Sequence, residues 1–336
     1  MNRYAGHSVR AEYWDPLPEG GVECRLCPHH CRIREGHAGL CKVRGVIRGE
    51  LRALGYGEIS SCHVDPVEKK PLYHFHPGAR IFSVGGWGCN LGCVFCQNWE
   101  ISQTLRSGPR YMPDELLGAS KAEGCSLVAY TYNEPLVGFE FVRDCCQRVR
   151  ADGGKNVLVT NGYVEEAPAR ELLPLVDALN IDIKSMDDAF YRQHCKGTLP
   201  PVLRFCRQAV QAGCHVEITN LIIPGLNDSN AGIEMLAAWV RDELGSATPL
   251  HFSAYHPDFR AMIEPTPPAT VSRAWELARK YLTYVYMGNL SDGKGQNTEC
   301  PGCGRILVER HGFKAAKTGL NNGVCDRCGR KADLIL

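Results

Sequence analysis

The chain has 336 residues, 44% hydrophobic and 22% charged, with 38 Lys and Arg against 37 Asp and Glu for a formal charge of +1. Disorder needs fewer apolar residues and more net charge, and no run reaches the ~18 uninterrupted apolar residues of a membrane span. A dedicated nucleic-acid binder carries a basic excess that is missing here. Residues 1–12 lack the apolar core of an export signal. Most of the 18 cysteines sit in tight clusters, and such spacings suit metal chelation better than disulfides. The expectation is a protein of a reducing, cytoplasmic compartment with thiolate-bound metals.

In chain order, the first feature is a segment rich in Pro, Gly, His and Arg that carries Cys24, Cys27, Cys31 and Cys41 as C-x2-C-x3-C-x9-C. Four ligands close a site, and zinc or an auxiliary iron–sulfur cluster both fit. His29 or His30 can replace one Cys. A strand is predicted over 79–84, ending at Gly85-Gly86, followed by Cys89, Cys93 and Cys96 as C-x3-C-x2-C. From there, predicted helices 113–123, 136–152, 165–175, 202–212, 229–244 and 268–281 alternate with strands 126–132, 156–160, 178–183, 215–223, 249–255 and 284–287. That alternation predicts βα units and a parallel sheet, with right-handed crossovers. Polar residues follow several strand ends (Asn133-Glu134, Asn161, Asp182 with Lys184, His256), the edge where such sheets bind ligands. Near the C-terminus, Cys300/Cys303 and Cys325/Cys328 form two C-x2-C knuckles. Four thiolates without an open position predict structural zinc, with a rubredoxin-like iron as the alternative.

The central triplet carries the sharpest chemistry. A four-iron cluster normally takes four Cys, so three in one loop leave one iron open. Zinc with a remote fourth ligand is the other reading of three thiolates. Asp182 and Lys184 alternate with isoleucines, so both lie on one strand face. Asn161-Gly162 is also a turn dipeptide, and an isolated His such as His256 is often structural.

The segment 87–98 resembles the cluster-binding motif of the radical S-adenosylmethionine (SAM) superfamily. The resemblance implies a [4Fe-4S] cluster on Cys89, Cys93 and Cys96, with SAM on the open iron. It implies reductive cleavage of SAM to methionine and a 5′-deoxyadenosyl radical that abstracts hydrogen from a substrate. The implied fold is α/β, a partial (β/α)6 barrel over 79–290. A Cys-rich lead-in, 1–78, precedes it and a zinc-ribbon-like domain, 291–336, follows. Tyr132-Asn133-Glu134 resembles the superfamily's "GGE" element, with Glu134 accepting from the SAM amino group. Thr160-Asn161-Gly162, Asp182-Ile183-Lys184, the Pro224-Gly225-Leu226-Asn227-Asp228 turn and Tyr255-His256 are similar to elements of glycyl-radical activases. They imply SAM contacts from Phe95, Asn133, Glu134, Asn161, Asp182, Lys184 and His256, and a flavodoxin- or ferredoxin-type reductant.

Residues 63–78, read with the N-terminal CxLCPHxC and the C-terminal knuckles, resemble the radical SAM enzyme of the AmmeMemoRadiSam system. That group is itself similar to pyruvate formate-lyase activating enzymes. It implies AMMECR-type and MEMO-type partner proteins, no membrane and no nucleic acid. Within 63–78, Lys69, Lys70, His74 and His76 either line the approach to the cluster or staple the barrel mouth. The expected function is radical hydrogen abstraction from an unidentified substrate. Activation of a glycyl-radical enzyme is one alternative; a non-catalytic zinc and iron–sulfur scaffold or nucleic-acid-binding module is another.

Overall fold

A computed structural model describes residues 8–104, 108–290 and 293–336. The start of the stretch read for an export signal, 1–7, and the boundary expected at 291 lie outside the described residues.

The central element is an eight-stranded sheet. Its strands are β1 (Ser61–Pro66), β2 (Arg80–Gly85), β3 (Leu127–Tyr130), β4 (Lys155–Thr160), β5 (Ala178–Asp182), β6 (His215–Ile222), β7 (Leu250–Ala254) and β8 (Val285–Gly288), paired in sequence order. β2 through β8 are mutually parallel, and β1 adds antiparallel to β2 from Ser61 opposite Gly85 to Pro66 opposite Arg80. The sheet is open: β1 and β8 are its edges. Seven strands fall where the alternation predicts them. β1 is additional; its Pro66 is tolerated because Pro cannot donate to a ladder and so sits at a sheet edge.

Between the parallel strands run α1 (Pro113–Ala122), α2 (Phe139–Ala151), α3 (Glu166–Leu172), α4 (Leu199–Gln211), α5 (Asn230–Glu243) and α6 (Pro268–Ala278). α2 starts later than predicted because Pro135–Gly138 forms a separate 3-10 turn before it. α4 starts earlier, since Pro200 and Pro201 fit its first turn, where their missing N–H groups cost nothing. α4 buries Val202, Phe205, Cys206 and Ala209. Strands such as β3, buried at every position, show the both-faces-covered pattern of parallel sheets.

Two small antiparallel sheets precede β1: Trp14–Pro16, Val22–Cys24 and Arg32–Ile33 in one, Val9–Arg10, Glu50–Ala53 and Arg44–Ile47 in the other. They are fastened to α2 by a buried ion pair. Arg44 donates to both carboxylate oxygens of Glu140 at 2.9 Å and to the Glu12 carbonyl at 2.5 Å. After β8, the strands Thr298–Glu299, Ile306–His311 and Lys314–Ala316 enclose a core of their own around Leu307 and Val308. This module also reaches inward. The buried Arg310 donates to the Tyr73 carbonyl at 2.7 Å, and the Ile335 N–H donates to the His74 carbonyl at 2.8 Å. Residues 67–76 are thus a strap wedged between the sheet and the C-terminal module. Among the described residues, no helix is long and apolar enough to cross a membrane.

Candidate active site

A cavity of about 760 Å³ opens on the C-terminal edge of the sheet and is lined by Cys89, Cys93 and Cys96 together with Glu134, Asn161, Asp182 and Lys184. Residues more than 90 positions apart meet there because each follows or ends a parallel strand.

The cysteine loop is held by backbone. Gly88 has φ +82°, and a Cβ there would lie 2.2 Å from the Cys41 carbonyl oxygen, so only glycine lets the N-terminal segment approach this closely. Gly92 N–H donates to the Cys195 carbonyl at 2.8 Å and Val94 N–H to the His194 carbonyl at 3.0 Å. The sulfurs have donors of their own. Leu91 N–H lies 3.3 Å from Cys89 Sγ and Asn161 Nδ2 3.5 Å from it, while Ser102 Oγ is 3.2 Å from Cys96 Sγ. Hydrogen bonds to cluster sulfurs tune reduction potential. Three thiols on one cavity, two of them with polar neighbours, fit a four-iron cluster with one open corner.

Tyr132 and Asn133 stand where the superfamily element has glycines, yet Tyr132 adopts φ +70°, the left-handed conformation a glycine would take. Its hydroxyl donates to Asp65 at 2.5 Å, and Lys70 Nζ sits 4.3 Å from its ring centroid. These contacts offset a backbone cost of ~1–2 kcal/mol. Asn133 Oδ1 accepts from Gly86 N–H at 2.9 Å, and its Nδ2 donates to the Trp87 and Gly88 carbonyls. Asn133 therefore braces the strand-to-loop turn ahead of the cysteines.

Glu134 is buried. Its carboxylate accepts from Leu136 N–H at 3.0 Å, Thr160 Oγ1 at 2.7 Å and Asn161 N–H at 2.7 Å. Burial pushes its pKa up to about 7, and those three donors offset only part of that. It thereby ties the ends of β3 and β4 together. Asn161 Oδ1 closes a turn on Tyr163 N–H at 2.8 Å, and its Nδ2 also reaches Asn90 Oδ1 at 3.0 Å. Asp182 and Lys184 form an ion pair at 2.8 Å. Burial alone would lower the Lys184 pKa, but Asp182 and the nearby Cys93 hold it above the ordinary lysine value. Phe95 is buried, lines the cavity and packs 5.9 Å from Phe190. His256 is exposed and does not line the cavity.

His251 is a lining residue not singled out from sequence, whereas Lys69 and Lys70 are two that were. His251 lines the cavity, with its Nε2 2.7 Å from Glu217, which also meets His215 Nε2 at 3.0 Å. Glu217 accepts from the N–H groups of Tyr73 and His74 as well. Burial would raise its pKa, yet the two histidines hold it well below the carboxylate range. Lys69 and Lys70 of the strap line the cavity and pair with Asp65 at 2.9 and 2.6 Å. His74 and His76 do not line it. His74 is buried against Tyr286 and the Asp333 carbonyl, each at 2.6 Å, and burial pushes its pKa down to about 4.

The flanking cysteines gather at two further places, and among the described residues only the C-terminal set brings four sulfurs within 4.8 Å of one another. Cys24, Cys27, Cys31 and Cys41 line one small cavity with His29 and Asn90, beside the central loop. The sulfurs of Cys300, Cys303, Cys325 and Cys328 lie within 4.8 Å of one another, with Cys300–Cys328 and Cys303–Cys325 both at 3.6 Å. A tetrahedral ion with ~2.3 Å bonds to sulfur has an edge of ~3.8 Å, so these four thiols fit one metal ion.

Residues 85–237 match the family model described as Radical SAM superfamily. The chain is 44% identical over 333 residues to an uncharacterized protein of Methanocaldococcus jannaschii, covering 97% of this chain and 99% of that one. It is 25% identical over 189 residues to the pyruvate formate-lyase 1-activating enzyme of Escherichia coli, covering 54% of this chain and 75% of that enzyme. A radical SAM methyltransferase from Sphaerobacter thermophilus aligns with a TM-score of 0.50 at 18% identity, over 66% of this chain and 71% of that one, a likeness of fold alone. The chain belongs to the radical SAM superfamily, whose members use a [4Fe-4S] cluster and SAM, and it is an enzyme homologous to glycyl-radical-enzyme activating enzymes.

Proposed function

We propose that Cys89, Cys93 and Cys96 hold the [4Fe-4S] cluster and that Phe95, Asn133, Glu134, Asn161, Asp182 and Lys184 surround SAM beside it. The sheet between 79 and 290 would then be the superfamily's partial (β/α)6 barrel. One observation carries this reading: the three thiols open on the same cavity as Glu134, Asn161, Asp182 and Lys184. Held there, cluster and SAM would supply the radical chemistry for hydrogen abstraction. The chain's own residues bind and orient. Lys184, kept charged beside Asp182, offers an ammonium to a carboxylate. Glu134, fixed by three donors, offers a remaining lone pair to an amino group. The strap and loops around the cavity would keep water from the reacting centre. His256 is left out of this set because it is exposed.

The substrate and partners extend the same proposal. Residues 63–78 and both flanking cysteine sets support placement in the AmmeMemoRadiSam system, with AMMECR-type and MEMO-type partners and a flavodoxin- or ferredoxin-type reductant. Zinc is proposed at the C-terminal thiols, and zinc or an auxiliary cluster at the N-terminal ones. The similarity to an activating enzyme favours a second reading, transfer of the radical to a glycine of a partner protein. The test is anaerobic reconstitution with iron and sulfide, then dithionite and SAM. Formation of 5′-deoxyadenosine is expected, and its persistence after Cys89, Cys93 and Cys96 are all replaced by Ala would end the proposal. Adding the two partner types, with deuterium transfer into 5′-deoxyadenosine as readout, tests the system. A glycyl-radical spectrum on an added acceptor would favour the activase reading.

A further inference from the structure

The cavity continues past the thiols to an end closed by the strap and the C-terminal module. Three polar side chains there are each more than nine-tenths buried: Glu68 from the strap, Thr219 from β6, and Gln296 from the segment after β8. Glu68 Oε2, Thr219 Oγ1 and Gln296 Oε1 have no hydrogen-bond partner among the described residues. An unpaired buried polar atom is costly, and native proteins keep few of them.

Contacts between their neighbours gather the three around one space. Arg310 lies 3.7 Å from Glu68 Oε1, donates to the Gln296 carbonyl at 3.1 Å, and covers the Tyr73 ring at 4.1 Å. The Tyr73 ring meets His251 edge-on at 4.8 Å, and His251 pairs across strands with Thr219. The remaining Glu68 oxygen, Oε1, is engaged by Gly78 N–H at 2.9 Å. Charges at this end balance, with Lys69, Lys70 and Arg310 against Asp65, Glu68 and Glu217.

We propose that this end is a substrate subsite for a small, neutral, polyhydroxylated molecule, a sugar or polyol. Glu68 Oε2, Thr219 Oγ1 and Gln296 Oε1 receive its hydroxyls. Two of the three atoms are acceptors only, so the ligand must bring donors. An amine would supply donors and meet Glu68, but its cation would add to a set of charges that Lys69, Lys70 and Arg310 already balance. A carboxylate would suit Arg310 Nε, which also lacks a partner among the described residues, but it would face Glu68 and Gln296 Oε1 with no donor to offer. Hydroxyl groups donate to all three and carry no charge. Tyr73 and Phe313 line the same end and give apolar faces to the carbon skeleton. The inference deepens the radical SAM reading above and rests on it, since it names the molecule placed before the radical.

The test uses the full chain, reconstituted anaerobically, with D-ribose, D-glucose and myo-inositol as probes in saturation-transfer NMR. Butane-1,4-diamine and succinate serve as charged counter-probes. Saturation transfer to at least one polyol is expected, falling at least fivefold in both Thr219→Val and Gln296→Leu. Both variants should also melt at a higher temperature than the parent without ligand, because each removes an unpaired buried polar atom. A structural hydrogen bond at either position would instead lower it. No transfer to any polyol, unchanged transfer in both variants, or preference for the diamine or succinate would overturn the proposal. Cleavage of SAM is measured on the same samples. Cleavage without polyol binding removes the subsite alone; polyol binding without cleavage removes the radical reading and leaves the subsite.

Discussion

Replacing Glu140 by Ala removes the only carboxylate facing Arg44 among the described ion pairs of that guanidinium. The side chains of Arg44 and Glu140 are 1% and 3% exposed, so the stranded cation has no water to turn to. Breaking such a pair from one side costs ~3–5 kcal/mol. Arg44 sits in the Arg44–Ile47 strand, whose sheet packs beside the Cys41–Gly88 contact, so the loss falls on docking of the N-terminal segment. Native-state hydrogen exchange measures it locally. The Val46 amide, bonded to the His37 carbonyl at 3.0 Å, and the Leu54 amide, bonded to the Val43 carbonyl at 2.8 Å, report opening of that sheet. At ~1.4 kcal/mol per tenfold, a cost of ~3 kcal/mol speeds their exchange by ~10²-fold. The paired change Arg44→Met with Glu140→Leu removes both charges and leaves only the part-buried Glu12 N–H and carbonyl without these partners. It should recover most of the loss, since apolar replacement of a buried ion pair is often neutral or better. Exchange accelerated less than ~5-fold in Glu140→Ala, well under the ~3 kcal/mol expected for a stranded buried charge, would refute the reasoning. A double variant as fast as the single one would do the same.

Three further outcomes follow from other sites. Gly88→Ala meets both a left-handed φ costing ~1–2 kcal/mol and the Cys41 carbonyl, so iron bound at the central loop and the melting temperature should both fall. Bound iron unchanged from the parent would contradict the steric account. Glu134 has its folded pKa raised by burial to about 7 from an ordinary 4.5, so its favourable contribution is complete below pH 4.5 and is lost as pH rises to about 7. The stability of the parent relative to Glu134→Gln should therefore fall by ~3 kcal/mol across that window and flatten above it, and a difference that rises with pH would show the sign to be wrong. The C-terminal thiols should hold one equivalent of metal, read by a colorimetric chelator after thiol modification. Cys300→Ser should release it and expose Leu307 and Val308, seen as faster proteolysis after Thr298; retention of the metal would refute single-ion ligation.

The sequence carries the sheet and half of the site for a simple reason. Parallel strands buried on both faces show themselves as apolar runs, and the cysteine triplet is local. β1 escaped because His63, Asp65 and Pro66 give it no apolar strand pattern, and its pairing depends on β2. Tyr132 escaped because its φ is imposed by Asp65 and Lys70, more than 60 positions away. The closed end of the cavity did leave a signal. Glu217 and Thr219 alternate with Val216 and Ile218, and His251 and Ser253 alternate with Leu250 and Phe252. Polar residues at period two inside a parallel strand point to one face, so His251 was distinguishable in phase from His256, which lies past the strand. The partners that give those residues meaning come from the strap and the C-terminal module, and no local pattern could supply them.

The strap has a consequence for biogenesis. Tyr73 and Arg310 are 237 positions apart, and His74 and Asp333 are 259 apart. The chamber's rear wall thus awaits segments made more than 230 positions after the strap, and contacts of such span close slowly. A polypeptide truncated before Arg310 would lack that wall and present an open basin to oxygen during loading with iron and sulfide.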